Sequence, residues 1–377
     1  MKKLLNLCAM FCLISSANLL AGEASSSGGA SSSGVSDFHE LQLLKTLENN
    51  DSVLSVAWSP DSNYLAIGSQ DYTVRIWDVK NSTLLKTLTN GSSDANSVAW
   101  SPNGRYLAIG SSCNMVRIWD VSDVKNATLL HTLKGHESWI RSVAWSPDSN
   151  YLACASDDLC ENSAVRIWDV RDGTLLQTLT GYERFVDSVA WSPNGNYLAS
   201  ASEDIIRIWD VSDVKSSKLL FMGTEPAVYS VAWSSDSNYL AFGSLKCTVF
   251  IYDFTHDRIS GVLKTRDKVH SVAWSSNGNY LAGGNVDQNV YIWDAKSERL
   301  LQTLTGHRGP VWSVAWSPDG RYLASGSADR TVRIWSQLCP SATSTGVFGS
   351  LYEKIVKSVR SVLPDVFGES ARDRSER

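Results

Sequence analysis

Large apolar residues alternate with small residues along short segments of this chain, and tight-turn residues separate the segments. In the clearest copy the alternation runs over Trp312–Trp316, and a Pro-Asp-Gly turn follows at 318–320. A second strand is predicted at Tyr322–Ser327 and a third at Thr331–Trp335. Alternation with a period of two is typical of half-buried β-strands, so the pattern predicts an all-β fold.

The same three-strand pattern occurs seven times. The tryptophan that ends the first strand recurs every 41 to 46 residues, at Trp58, Trp100, Trp145, Trp191, Trp233, Trp274 and Trp316. The aromatic residue of the third strand recurs at Trp77, Trp119, Trp168, Trp209, Tyr252, Trp293 and Trp335. A regular period of this length indicates one repeat architecture rather than two or three separate domains.

A fourth strand follows each of the first six copies but not the last. The missing strand is found upstream, at Leu43–Leu47, where the sequence resembles the fourth strand at Leu84–Leu88. Pairing of the upstream strand with the last copy would remove an exposed sheet edge. We therefore expect the two ends of the repeat region to meet.

Most copies carry a Trp-Asp pair at the end of the third strand, and the last copy begins with Gly306-His307. These features resemble the WD-repeat family, whose unit is a four-stranded propeller blade. The resemblance implies an all-β, seven-bladed β-propeller over residues 40–336, closed by an N-terminal strand that completes the last blade. It also implies a non-catalytic protein-interaction scaffold with no cofactor and no metal.

In WD-repeat proteins the Gly-His histidine, a second-strand serine, a turn aspartate and the third-strand tryptophan form a hydrogen-bonded structural relay. Only two copies carry all four residue types, and these are His136, Ser156, Asp158 and Trp168, and His307, Ser327, Asp329 and Trp335. In the other five blades, substitutions such as Tyr182 for the histidine leave it undecided from the sequence whether the relay forms. Although serine, histidine and aspartate also form hydrolase triads, the resemblance assigns them here to the structural relay with tryptophan.

Because the repeats share a frame, the positions that vary within it are informative. The residues just before each Ser-Val-Ala-Trp, and those two positions earlier, differ in every copy, and in the WD-repeat fold they flank a central mouth. The predicted partner-binding residues are Trp139, Arg141, Phe185, Asp187, Tyr229, His270 and Trp312. They include residue types that are enriched in binding hot spots. Sequence drift at solvent-facing positions is the alternative.

An enzyme is the alternative function, because exported propellers of other families include hydrolases and lyases that act at the channel mouth. Such an enzyme would need clustered carboxylates or histidines, and Asp94, Asp187 and His270 are the candidates. The sequence contains no G-x-S-x-G or H-E-x-x-H motif and no phosphate-binding glycine loop.

The amino terminus resembles a bacterial-type signal peptide over residues 1–22, with Lys2 and Lys3 before an apolar run. A Ser/Gly-rich linker is expected at 23–39. This predicts an exported protein, periplasmic or secreted, with no stable membrane span after signal cleavage. An uncleaved anchor helix is the alternative.

The formal net charge of -5, without a long basic run, argues against nucleic acid as a partner. A protein or peptide partner and a monomeric propeller are expected. Five cysteines would remain after cleavage, and they show no C-x-x-C spacing. The carboxyl-terminal tail, 337–377, is predicted to contain an amphipathic helix at 351–363, which would pack on the propeller or bind a partner or membrane surface.

Overall fold

A computed structural model describes residues 38–157, 163–203, 205–223 and 227–337 of the chain. Within these residues the strands form seven four-stranded antiparallel sheets, which confirms the predicted all-β, seven-bladed propeller. The predicted signal peptide, the helix at 351–363 and residues 23–37 of the predicted linker lie outside the described residues. Where the structure describes the chain, no helix is long and apolar enough to cross a membrane.

The first six blades each use four consecutive strands. Blade one contains β2 (Val53–Trp58), β3 (Tyr64–Ser69), β4 (Thr73–Asp78) and β5 (Thr83–Thr89). Blade two contains β6 (Ala95–Trp100), β7 (Tyr106–Ser111), β8 (Met115–Asp120) and β9 (Thr128–Lys134). Blade three contains β10 (Ile140–Trp145), β11 (Tyr151–Ser156), β12 (Val165–Asp169) and β13 (Thr174–Leu179).

The next three blades follow the same order. Blade four contains β14 (Val186–Trp191), β15 (Tyr197–Ser202), β16 (Ile206–Asp210) and β17 (Lys218–Gly223). Blade five contains β18 (Val228–Trp233), β19 (Tyr239–Ser244), β20 (Thr248–Asp253) and β21 (Arg258–Lys264). Blade six contains β22 (Val269–Trp274), β23 (Tyr280–Asn285), β24 (Val290–Asp294) and β25 (Leu300–Leu304). Short 3₁₀ turns, Val124–Asn126 and Val214–Ser216, precede β9 and β17.

Blade seven is built from both ends of the repeat region. Its sheet has the order β1-β28-β27-β26, where β1 is Leu41–Glu48, β26 is Val311–Trp316, β27 is Tyr322–Ser327 and β28 is Thr331–Gln337. The amide of Asn49, just after β1, donates to the Arg330 carbonyl at 2.8 Å. Leu41 and Leu47 are buried, whereas Leu43 and Leu44 are exposed. The strand predicted upstream of the repeats is therefore the outer strand of the last sheet.

The core lies between neighbouring blades. Each buried apolar cluster combines residues of two adjacent blades, and one of them joins Leu47 and Val53 to Ile334, across the junction of blades seven and one. Burial of apolar surface between the sheets is the main stabilising contribution to the ring.

The Ser-Val-Ala-Trp segment of each first strand binds the preceding blade. At all seven junctions the valine amide donates to the serine hydroxyl of the preceding first strand, at 3.0 to 3.2 Å. The bond from Val56 to Ser313 joins blade one to blade seven, so the series of bonds is closed. In four blades the tryptophan indole also donates to an alanine carbonyl of the preceding blade. This repeated junction explains why the segment hardly varies.

Candidate functional site

One extra residue interrupts the first strand of every blade, just before Ser-Val-Ala-Trp. In blade one the pairing of β2 with β3 shifts between Val53 and Ser55, and the equivalent shift occurs in all seven first strands. A β-bulge leaves one residue out of the ladder and re-aims its side chain. The seven bulge residues are Leu54, Asn96, Arg141, Asp187, Tyr229, His270 and Trp312.

All seven bulge residues line a single cavity of about 340 Å³. Gln70, Asp94, Ser112 and Trp139 complete its lining, and we call this set of eleven residues the mouth. Trp139 is its most exposed large apolar side chain, at 53%. The β-bulge in the first strand is thus the same in every blade, while the side chain at the bulge is different in each.

The structure brings six of the seven predicted partner-binding residues to the mouth. Phe185 does not line the cavity, and its ring instead lies 5.3 Å from the Arg141 guanidinium carbon. The residues that follow each second strand form a second variable ring, which includes Gln70, Ser112 and Asp157 and is absent from the predicted partner-binding residues. The signal was present, because this position also differs in every copy of the repeat.

The wall formed by blades five to seven is aromatic. The His270 ring lies 5.3 Å from the Tyr229 ring and 4.5 Å from the Trp312 ring, centroid to centroid, and meets the latter edge-on. Burial, with a smaller contribution from the Lys268 charge, lowers the pKa of His270 to about 4. His270 is therefore a neutral aromatic side chain at neutral pH.

The wall formed by blades three and four carries charge. Arg141 binds Asp157 Oδ2 through Nε at 3.2 Å and Nη2 at 2.6 Å, and its Nη1 lies 3.3 Å from Asp187 Oδ1. Burial raises the pKa of Asp187 to about 7; the Arg141 charge opposes this rise, and the Glu203 and Asp157 charges add to it. A buried carboxyl group of this kind can gain or lose its proton near neutral pH.

The residues named for the alternative enzyme also come to the mouth. Asp94, Asp187 and His270 all line it, although they belong to blades two, four and six. Burial, together with the Asp51 charge, raises the pKa of Asp94. Within the described part of the chain, no group of three or more His, Cys, Asp or Glu residues is suited to hold a metal ion.

The predicted relay is present in blade seven, but through a different serine. His307 Nε2 lies 2.8 Å from Ser325 Oγ, and the Trp335 indole donates to the same oxygen at 2.9 Å. The predicted Ser327 instead donates to the Gly309 carbonyl. Leu323 is the register partner of Trp335, so Ser325 is the diagonal neighbour on the same face, and Ser327 lies beyond its reach.

The aspartate of the blade-seven relay is Asp329, as predicted. His307 Nδ1 lies 2.9 Å from Asp329 Oδ2, which also accepts the Arg308 amide at 2.8 Å. Burial opposes ionisation, but these hydrogen bonds prevail and hold the pKa of Asp329 below its ordinary value.

In blade four a tyrosine replaces the histidine of the relay, and the third-strand indole still has a hydrogen-bond partner. In blade three the indole has none among the described residues. In blade four the Tyr182 hydroxyl lies 2.6 Å from Ser200 Oγ, and the Trp209 indole donates to the tyrosine oxygen at 3.0 Å. In blade three, buried Cys154 occupies the position equivalent to Ser325, and the Trp168 indole nitrogen has no hydrogen-bond partner among the described residues. The predicted blade-three members include His136 and Ser156, which are buried, and Asp158, which lies outside the described residues.

Three of the five cysteines beyond the predicted signal peptide are described, and all three are free thiols: Cys113, Cys154 and Cys247. Cys160 and Cys339 lie outside the described residues.

Two family models match the chain, and their matches overlap at residues 173–187. The model described as "WD domain, G-beta repeat" matches residues 173–210, 216–253, 259–294 and 298–336. The model described as "Eukaryotic translation initiation factor eIF2A" matches residues 35–187. Each WD segment begins at or near the outer strand of one blade and ends at the third strand of the next. The second match runs from before β1 into the first strand of blade four.

Proposed function

Because this chain belongs to the WD-repeat β-propeller family, we propose that it is a non-catalytic scaffold that binds a protein or peptide partner at the mouth. The bulge ring carries this proposal. Seven repeats hold an almost constant frame, yet the residue that each bulge aims into one cavity is different in every blade. A surface of non-equivalent side chains, with tryptophan, tyrosine and arginine among them, is suited to recognise one asymmetric partner.

An affinity capture experiment with a matched control tests the proposal. The mouth variant replaces Trp139, Arg141, Tyr229 and Trp312 with alanine. The control variant replaces four exposed outer-strand leucines, Leu84, Leu129, Leu175 and Leu219, with alanine. We expect the control to capture the same partners as the wild type and the mouth variant to lose them, with both variants folded by circular dichroism. Equal capture by the mouth variant would show that the partner binds elsewhere.

Export is part of the proposal, and it rests on the signal-like segment at residues 1–22. Mass spectrometry of the amino terminus of the protein from its own cells tests it. Cleavage near residue 22, with the protein outside the cytoplasm, is the expected result. An intact amino terminus on cytoplasmic protein would refute export.

A second candidate function is a scaffold in translation, which the match of the initiation-factor model over residues 35–187 favours. This function would require the protein in the cytoplasm, so it makes the opposite prediction for the amino terminus. Co-sedimentation with ribosomal particles, lost on addition of high salt or EDTA, would support it over the exported scaffold.

A further inference from the structure

Asp187 is a buried carboxyl group whose second oxygen has no partner. Its side chain is only 6% exposed, although it lines the mouth. Oδ1 lies 3.3 Å from Arg141, whereas Oδ2 accepts no hydrogen bond from any described residue. A buried carboxylate oxygen without a donor is costly, so this arrangement favours a ligand that supplies a donor or a positive charge.

The nearby arginine does not neutralise this carboxyl group. Arg141 makes its short contacts with Asp157, to which it donates from both Nε and Nη2. Glu203, the next acidic neighbour, lies 2.9 Å from Arg184. When Asp187 is ionised, the Arg141 charge is thus shared between two carboxylates, and the group retains an excess negative charge. An anionic ligand at Arg141 would meet both carboxylates and be repelled.

The aromatic wall of the mouth suits the same kind of ligand. Tyr229, His270 and Trp312 form a continuous run of aromatic rings, beginning on the blade next to that of Asp187. A cation is attracted to the faces of tyrosine and tryptophan rings. His270 lies between them without a positive charge of its own at neutral pH. The aliphatic stem of a long side chain would find apolar surface there, while its charged end reaches Asp187.

We propose that the mouth binds a cationic side chain of the partner, arginine or lysine, between the Asp187 carboxylate and the aromatic wall of Tyr229, His270 and Trp312. A cavity of about 340 Å³ has room for one such side chain. Trp139, half exposed at the rim, is then available to contact the neighbouring residues of the partner. The inference rests on the proposed function, because it names the chemical group that the mouth recognises.

The test uses the full chain with ¹⁵N-labelled tryptophan indoles and three small probes. Acetyl-arginine amide, acetyl-lysine amide and acetyl-citrulline amide are titrated separately, and the Trp312 indole signal is followed by NMR. Citrulline matches arginine in shape but lacks its charge. We expect saturable shifts with arginine or lysine on the order of 1–10 mM, and at least tenfold weaker binding of citrulline. The stronger of the two cationic probes identifies the side chain.

Two matched variants complete the test. Asp187→Asn removes the buried charge at nearly constant shape, and Asp172→Asn makes the same change at an exposed turn of blade three. We expect Asp187→Asn to weaken binding at least tenfold and Asp172→Asn to leave it unchanged. Equal binding of citrulline and arginine, wild-type binding by Asp187→Asn, or no saturable shift with either cation would each overturn the inference.

Capture by the same variants separates this inference from the proposed function. If the mouth variant loses the partner while Asp187→Asn retains it at full affinity, the binding surface stands and the cationic ligand is wrong. If both variants retain the partner, the mouth is not the binding surface and the proposed function itself fails.

Discussion

Ser325 and Cys154 occupy equivalent positions in blades seven and three, and they lead to different interiors. Ser325 joins the His307 ring to the Trp335 indole, whereas the Trp168 indole beside Cys154 has no partner among the described residues. Because buried polar groups gain most from complete pairing, the Ser325 hydroxyl stabilises blade seven by giving the buried indole a hydrogen-bond partner. Tyr182 shows that a phenol can replace the histidine when the serine is kept.

Replacement of Ser325 by alanine should therefore destabilise the protein. The change leaves the Trp335 indole and His307 Nε2 without their shared partner in a fully buried site, at a cost of about 1–3 kcal/mol. Denaturant unfolding followed by tryptophan fluorescence measures the loss. Ser212→Ala, at an exposed loop position, should change the free energy of unfolding by less than about 0.5 kcal/mol. Equal stability of the two variants would refute the relay.

Asp187 should make stability depend on pH in a recognisable direction. Its folded pKa of about 7 lies above the ordinary value of 3.8, so the folded state holds the proton more tightly than the unfolded state. The group therefore costs stability progressively as the pH rises from about 4 to about 7. Asp187→Asn should be more stable than the wild type at pH 8, by about 2–4 kcal/mol, with little difference near pH 3.5.

The comparison of variant with wild type is needed because His270 acts in the opposite direction. Its lowered pKa means that stability is lost as the pH falls from about 6.5 towards 4, so the wild-type curve combines both groups. Subtraction of the two unfolding curves isolates Asp187. A difference that stays constant from pH 3.5 to pH 8 would mean that the carboxyl group is not perturbed by burial.

At the scale of single residues, only part of the candidate site could be predicted from the sequence. The position of Asp187 before Ser-Val-Ala-Trp follows from spacing and could be predicted. Its burial and raised pKa arise from neighbouring blades, and spacing carries no information about them. Ser325 and Ser327 lie on the same face of β27, so only the strand register shows which of them meets Trp335.

At the scale of elements, the strand β1 lies before the first repeat in the sequence but belongs to the last blade. Its alternation is uneven, with Leu41 and Leu47 buried and Leu43 and Leu44 exposed at 45% and 47%. Such a strand could be predicted because its sequence repeats that of the other outer strands. The bulges of the first strands could not be predicted, because a bulge changes pairing without an obvious change in composition.

Two substitutions within β1 test its contribution. Leu47→Ala should lower the free energy of unfolding by about 2–4 kcal/mol, because it empties a buried position between blades seven and one. Leu44→Ala, on the exposed face of the same strand, should change it by less than about 0.5 kcal/mol. Thermal unfolding measures both effects, and comparable losses in the two variants would contradict the register described for β1.

Deletion of residues 40–47 is the larger version of the same test. We expect it to lower the melting temperature and broaden the transition, whereas deletion of residues 24–34 should leave the transition unchanged. The Val56–Ser313 bond and its neighbours would still join blades one and seven, so we expect weakened closure rather than complete unfolding. An unaltered transition after the first deletion would show that β1 contributes nothing to closure.

At the scale of the whole molecule, the junctions between blades are nearly identical, whereas the residues that line the mouth differ from blade to blade. Ser-Val-Ala-Trp repeats because every junction between blades uses the same hydrogen bond, and the residue before it varies because it faces the mouth. The seven-bladed ring was predictable, since it depends on repeat number and period. The division of the mouth into a charged wall and an aromatic wall was not, because it depends on the order of blades around a closed ring.

Site-specific photo-crosslinking in the protein's own cells tests the central claim, that the partner binds at the mouth. A benzophenone amino acid is placed at Trp139 in one variant and at Leu129, on an outer strand, in another; the two native residues are 53% and 47% exposed. We predict a discrete crosslinked protein from position 139 that is absent from position 129 and is lost when Tyr229 and Trp312 are also replaced by alanine. A crosslink from position 129 alone, or one from position 139 that survives those replacements, would contradict binding at the mouth.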